Sequence, residues 1–188
     1  VLIIEFFSPS LKDLDSRMAK CQAMLLSNGA YSAKLINKKD ASKVWEVRKA
    51  GLGLLMGKVG PKKAVAVIED AAVPVDKLHS YYQEVKVLMQ SYDVDAVYYG
   101  HASVGLIHIR PILDLSKKRD QKIMQSIAKE VSRIVKKYHG SLSGEHGDGR
   151  VRAPFLKEQF GKSVYQHFVD LKHTFDPNNL FNPGVILS

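Results

Sequence analysis

Gly100-His101-Ala102-Ser103-Val104-Gly105-Leu106-Ile107-His108 lies within an apolar, β-branched stretch from Ala96 to Leu113 and reads as a β-hairpin with Val104 and Gly105 at its centre. His101 and His108 are then symmetric about the turn. Directly opposed residues on one face of an antiparallel pair have Cβ atoms about 4.5–5.5 Å apart, close enough for two imidazoles to share one metal ion. On the second strand His108, Arg110 and Ile112 point to one face, and Ile107, Ile109 and Pro111 to the other. An arginine suited to bidentate carboxylate binding therefore stands beside a potential metal ligand. Taken on spacing alone, the two histidines also suit a hydrogen-bonded structural role. The six residues between them exclude the helical zinc-protease arrangement.

Further along, Ser143-Gly144-Glu145-His146-Gly147-Asp148-Gly149-Arg150 has three glycines in six positions, so its backbone can approach a ligand closely. Glu145 can supply a carboxylate to the histidine pair, and His146 beside it converges on the same cavity. A tight connection with solvated acids is the plainer reading of this loop. The Walker phosphate-binding pattern is absent.

Around these stretches the chain alternates helix and strand. Lys63–Asp70 reads as a strand, and Pro74 opens a helix on which Leu78, Tyr81, Tyr82, Val85, Leu88 and Met89 recur with helical period. Lys117–Tyr138 is the clearest helix, its buried stripe formed by Ile123, Ile127, Val131, Ile134 and Tyr138 and its end marked by His139-Gly140. Upstream, Ser10–Ser27 carries Leu14, Met18, Cys21 and Leu25 on one face and ends at Asn28-Gly29. Tyr31–Ile36 reads as a short strand, and Asp40 N-caps a helix running to about Leu55. Gly51–Pro61 is glycine-rich and non-periodic, which predicts a mobile loop that touches a ligand. Gly161–His173 is a further helix, and Phe175–Gly184 is a turning tail rich in proline and asparagine. The pattern predicts an α+β fold, ferredoxin-like, with a mostly antiparallel sheet covered by helices. The two halves share a loose helix and strand order. Val1–Phe7 reads as a strand entered midway, so the chain is expected to be a fragment of a longer polypeptide.

At 188 residues, 45% hydrophobic and 25% charged, the chain can bury a core. Its longest apolar runs, Val1–Ile4 and Ala64–Ile68, fall far short of a membrane span and suit buried strands. No signal peptide is legible. The single cysteine, Cys21, excludes an internal disulfide framework and fits a reducing compartment. A net charge of +9 favours an anionic partner without choosing among nucleic acid, a membrane surface, a small organic acid or an acidic domain.

Tyr99-Gly100-His101, Leu106-Ile107-His108, Ser143 through Gly149, and Phe175-Asp176-Pro177 with Asn182-Pro183-Gly184 together resemble the C-terminal cap domain of FAD-linked oxidases. That group includes D-lactate dehydrogenases, the glycolate oxidase flavin subunit and D-2-hydroxyglutarate dehydrogenases. The resemblance is nearest to the long bacterial branch, in which an iron–sulfur region follows the cap. It implies that residues 1–188 form a substrate cap cut from a polypeptide whose N-terminal domain binds FAD, and that the cap is inactive alone. It further implies a divalent metal, commonly zinc, held by His101, His108 and Glu145, with His146 as general base. Arg48 and Lys63 resemble substrate-binding residues, and Arg110 stands where a number of relatives have asparagine. Asn182 and Gly184 resemble a segment that reaches the flavin. The substrate implied is a small anionic D-2-hydroxy acid, and the location cytoplasmic, with membrane association on that side left open. Where many members have Gly-Asp-Gly-Asn between the histidines, this chain has Ser103-Val104-Gly105-Leu106. Two rival readings are a basic nucleic-acid-binding α+β module and a freestanding metallohydrolase using the same ligands. The strands lack the aromatic and basic pattern of an RNA-binding sheet, so no nucleic acid is expected.

Overall fold

The computed structural model describes residues 1–57 and 59–187, the side chain of Leu52 apart. It divides into two compact units, residues 1–54 and 55–188. The first unit is helical. Helix α1 (Leu11–Ser27) starts at Ser10, whose hydroxyl accepts the Asp13 N–H, and ends at Asn28 before Gly29, which sits at φ +90°. Leu14, Met18, Cys21 and Leu25 are its half-buried stripe. Helix α2 (Lys38–Met56) is capped by the Asn37 side chain, which accepts the Asp40 N–H, so the cap lies three residues before the expected Asp40. The helix also continues through Gly51 and Gly53, where a loop is expected; Lys58, within that loop, is outside the described residues. Glycine lowers helix propensity by about 1 kcal/mol without forbidding the conformation. Neither Val1–Phe7 nor Tyr31–Ile36 forms a ladder among the described residues, and both stretches leave apolar side chains exposed. Apolar content marks them as extended; pairing needs a partner edge.

The second unit holds the sheet. Strands β1 (Lys63–Ala64) and β2 (Ile68–Ala72) are two parts of one line that pairs with β4 (Leu106–Leu113), and β3 (Ala96–His101) pairs with the other edge of β4. A single antiparallel bridge, Ala72 with Ser141, adds a fourth position beside β2. From β2 the order is strand, helix α3 (Leu78–Ser91), β3, β4, helix α4 (Lys118–Lys137), then Ser141. Across the sheet the sequence is Ser141, β2, β4, β3, all antiparallel. That is the ferredoxin-like arrangement, with its last strand reduced to one pair. The ferredoxin-like arrangement lies within residues 68–141, so the loose helix and strand order shared by the two halves of the chain does not generate it.

Tyr81, Val85 and Met89 of α3, and Ile127, Val131 and Val135 of α4, cover Ile68, Ala71 and Ile109 from one side of the sheet. All nine are at least nine-tenths buried. Burying side chains of this size contributes about 1.5–3 kcal/mol each, which makes this face the stable platform. Helix α5 (Ala153–Phe175) begins eight residues before the expected Gly161, and Gly161 breaks it with φ +81° and ψ +165°, a conformation open only to glycine. Beyond α5, Asp176 accepts the Leu180 and Phe181 N–H groups at 2.9 Å and holds the turning tail. Among the described residues no helix is long and apolar enough to cross a membrane.

Candidate active site

The hairpin register is His101 opposite Leu106 and Tyr99 opposite His108. The two histidines are therefore diagonal neighbours instead of a directly opposed pair. A 3-10 turn, Ala102–Val104, widens the connection and Gly105 closes it at φ +73°. The difference from the expected register moves each partner by two, so parity is kept and both rings stay on the sheet face away from α3 and α4. Their centroids are 5.5 Å apart. His108 is nearly buried and lies between Tyr99, stacked at 4.7 Å, and His146 at 5.6 Å.

A bulge in β2 supplies the acids. Ile68 pairs with Ile109 and Ala71 with Ile107, so Glu69 and Asp70 together oppose His108 alone. Regular alternation would send these carboxylates to opposite faces; the extra residue lets both reach the site. Glu69 Oε1 accepts Arg110 Nη2 at 2.5 Å and Oε2 accepts His146 Nδ1 at 2.5 Å. Burial pushes the Glu69 carboxyl up, but hydrogen bonds from Arg110 and His146 outweigh it and hold the group below its ordinary value. Ionised, Glu69 only accepts, so Nδ1 of His146 carries the proton and Nε2 is left as the basic atom.

The Glu69 main-chain carbonyl lies 3.0 Å from His108 Nδ1. It accepts the proton there and turns the His108 Nε2 lone pair toward Glu145, 3.6 Å away. Burial lowers the His108 pKa against the pull of Glu69 and Glu145, favouring the neutral imidazole that metals bind. His101 Nε2 is 3.4 Å from the other Glu145 oxygen. Ligand atoms of His101, His108 and Glu145 all lie within 4.8 Å of one another. Two donors sharing a tetrahedral zinc at about 2.1 Å stand about 3.4 Å apart, so this two-imidazole, one-carboxylate set fits a divalent ion. Glu69, His108 and His146 also cluster within 4.8 Å, but the nitrogens facing Glu69 are already hydrogen-bonded.

Asp70, fully buried, fixes the glycine loop. Its Oδ2 accepts Ser143 Oγ at 2.7 Å and the N–H groups of Glu145 and His146 at 2.9 and 2.7 Å, while Oδ1 pairs with Arg152. Burial opposes ionisation, yet these donors hold the carboxyl far below its usual range. Arg152 also donates to Leu142 and Gly147 carbonyls. Asp148 shifts the other way: burial, reinforced by Asp70 against Arg152, raises its pKa.

An open cleft of about 290 Å³ lies over this cluster, lined by Ala66, Glu69, Arg110, His146 and residues 147–152. Arg110 is 7% exposed, and its Nε is a buried donor without an acceptor among the described residues. His101, His108, Glu145, His146 and Arg110 are thus brought together. Lys63 is exposed on β1 opposite Leu113, at the other end of β4 from His108. Asn182, at φ +46°, and Gly184, at φ +72°, form the C-terminal turn, and the Ile186 N–H returns to the Gly149 carbonyl. Arg48 is exposed on α2 in the first unit. Glu69, Asp70 and Arg152 are site residues that the sequence reading does not single out. Two consecutive acids inside the apolar run Ala64–Val73 are the signal that marks them.

An α+β domain with a histidine and carboxylate cluster on the open face of its sheet is the class this geometry defines. The chain belongs to the family "FAD linked oxidases, C-terminal domain", whose model matches residues 1–186. A D-2-hydroxyglutarate dehydrogenase of Pantoea ananatis is 31% identical over 98% of this chain and 19% of its own length. Glycolate oxidase subunit GlcD of Bacillus subtilis is 27% identical over 98% of the chain and 38% of its own. A D-lactate dehydrogenase of Archaeoglobus fulgidus is 30% identical over 90% and 35%. The chain therefore spans well under half the length of these relatives. Among solved structures, 4-ethylphenol oxidase from Gulosibacter chungangensis, in an isoeugenol complex, shares the fold with a TM-score of 0.60 over 95% of this chain and 37% of its own, at 13% identity. The FAD-linked oxidase family is the one that the sequence motifs resemble, and its description names a flavin-linked domain, not a nucleic-acid-binding module or a hydrolase.

Proposed function

We propose that residues 1–188 form the substrate-side domain of a longer flavoenzyme that oxidises a D-2-hydroxy acid to the 2-oxo acid. The observation that carries this reading is the cluster of His101, His108 and Glu145 beside His146 and Arg110, the last two lining an open cleft, in a chain of the FAD-linked oxidase family. The relatives, dehydrogenases of D-2-hydroxyglutarate and D-lactate and a glycolate oxidase subunit, support the substrate class, and their greater length supports a separate FAD-binding domain as the partner.

A divalent metal held by His101, His108 and Glu145 would supply Lewis acidity toward the substrate oxygens, and FAD, when bound, accepts the hydride. This chain's residues do the rest. Nε2 of His146, opposite a proton fixed on Nδ1 by Glu69, takes the hydroxyl proton as hydride leaves C2. Arg110 offers its unanswered Nε–H to the substrate carboxylate. Lys63 adds positive charge on β1, which pairs with the end of β4. The turn at Asn182 and Gly184, braced by Asp176 and flanked by exposed Leu180 and Phe181, is the part offered to the flavin. One cysteine does not fit an iron–sulfur cluster, which needs four thiolates or their equivalents, so such a cluster would belong to another region.

The test is to purify the whole polypeptide containing this chain and assay D-2-hydroxyglutarate, D-lactate and glycolate with an artificial electron acceptor. Flavin absorbance with turnover of one of these is expected. A protein without flavin, or one that oxidises none of them, overturns the reading.

A further inference from the structure

His146 is 54% exposed by side chain and would sample several rotamers if nothing held its ring, whereas the Glu69 side chain is 5% exposed. We infer that Glu69 is the positioning residue of the site: its buried carboxylate fixes the His146 ring and the Arg110 guanidinium together, and its carbonyl fixes His108. The inference rests on the function proposed above. One oxygen serves each partner, both at 2.5 Å, and the β2 bulge brings the main-chain carbonyl within 3.0 Å of the third. The base, the carboxylate-binding arginine and a metal ligand are thus oriented by one residue that need touch no substrate.

The stereochemistry makes this testable. Glutamine keeps the shape of Glu69 but offers one acceptor and one donor where two donors converge, so it satisfies both Arg110 and His146 only by driving the His146 proton from Nδ1 to Nε2, which removes the base. Aspartate keeps both acceptors and the charge on a stem one methylene shorter. Because the glutamine amide oxygen still accepts from Arg110 while the His146 base is lost, Glu69→Gln should lower kcat and spare KM.

In the whole FAD-loaded polypeptide, with D-2-hydroxyglutarate or D-lactate as substrate, Glu69→Gln should lower kcat about 100-fold while KM stays within about threefold. Glu69→Asp should recover about a tenth of wild-type kcat. Flavin and metal content should match wild type, and isotope-edited NMR of Glu69→Gln should find the His146 ring proton on Nε2 instead of Nδ1. A kcat within about threefold of wild type overturns the inference. So does a loss that only tracks metal or flavin content in both variants, since that would make Glu69 structural. If the wild-type protein oxidises no hydroxy acid, the proposed function fails, and the His146 tautomer in Glu69→Gln still decides this inference: a proton moved to Nε2 supports it, one still on Nδ1 overturns it.

Discussion

The main-chain N–H of His146 donates to Asp70 Oδ2 at 2.7 Å, while the His146 ring donates to Glu69 on the adjacent residue. Two consecutive carboxylates in the β2 bulge thus hold one loop residue by its backbone and by its side chain. The backbone half of this clasp is a stability element. Asp70 is fully buried and Arg152 12% exposed by side chain, so Asp70→Asn leaves a largely buried guanidinium without its closest counter-charge. The expected cost is about 3 kcal/mol, read from urea denaturation. An unchanged midpoint would show that the loop is held by something else.

The same carboxylate sets the acid limit of stability. Its folded-state pKa lies below the unfolded value near 3.8, because the loop N–H groups, Ser143 and Arg152 outweigh burial. A depressed carboxylate contributes stability that is present above the unfolded value and lost as pH falls through the folded one. The urea midpoint should therefore fall as pH drops below about 4, and Asp70→Asn should flatten that limb. Parallel pH profiles for the two proteins would count against the assignment.

Periodicity made the helix-covered half of the fold legible: Ile127 and Val131 on α4, or Val85 and Met89 on α3, follow directly from spacing, and each is buried. That the hairpin histidines and the Glu145-His146 loop would cluster was legible because histidine and glycine in those patterns narrow the chemistry. Glu69 and Asp70 were not, since strand alternation sends neighbours to opposite faces and a one-residue bulge has no sequence signature of its own. The hairpin register escaped for a related reason: Ala102–Val104 form a 3-10 turn, and Gly105 rather than a two-residue turn reverses the chain. Val1–Phe7 and Tyr31–Ile36 read as strands because composition reports extended apolar chain, while pairing depends on what lies alongside.

Gly105 carries that turn under strict limits. At φ +73°, a Cβ would stand 1.8 Å from the Val73 carbonyl oxygen, and the Gly105 carbonyl also accepts the Val73 N–H. Gly105→Ala should cost about 2 kcal/mol or more, because both backbone conformation and contact must relax. Thermal unfolding measures it. A variant as stable as wild type would mean that the turn has slack the structure does not show.

His101 is the most exposed of the two histidine ligands proposed and sits at the end of β3, where its loss leaves no core cavity. His101→Ala should keep the fold and lower bound metal about tenfold or more after dialysis against a weak chelator. Elemental analysis of wild type and variant side by side decides it, and equal metal content would remove His101 from the ligand set.

Arg110→Lys separates two roles of one side chain. A lysine ammonium can still answer the Glu69 carboxylate, so the buried charge pair survives and the fold should hold. What it cannot supply is a second, fixed donor: in the native protein Nη2 serves Glu69, Nη1 reaches Met56 Sδ, and Nε faces no acceptor among the described residues. A buried donor without a partner is costly to leave so, on the order of 1–3 kcal/mol, and a substrate carboxylate that relieves it recovers that energy on binding. With lysine in place, KM for the 2-hydroxy acid should rise about tenfold while kcat changes by less than about threefold, because the His146 and Glu69 pair is untouched. Steady-state kinetics on the whole polypeptide give both constants. If KM is unmoved, Arg110 serves only to balance Glu69, and the substrate carboxylate is held elsewhere.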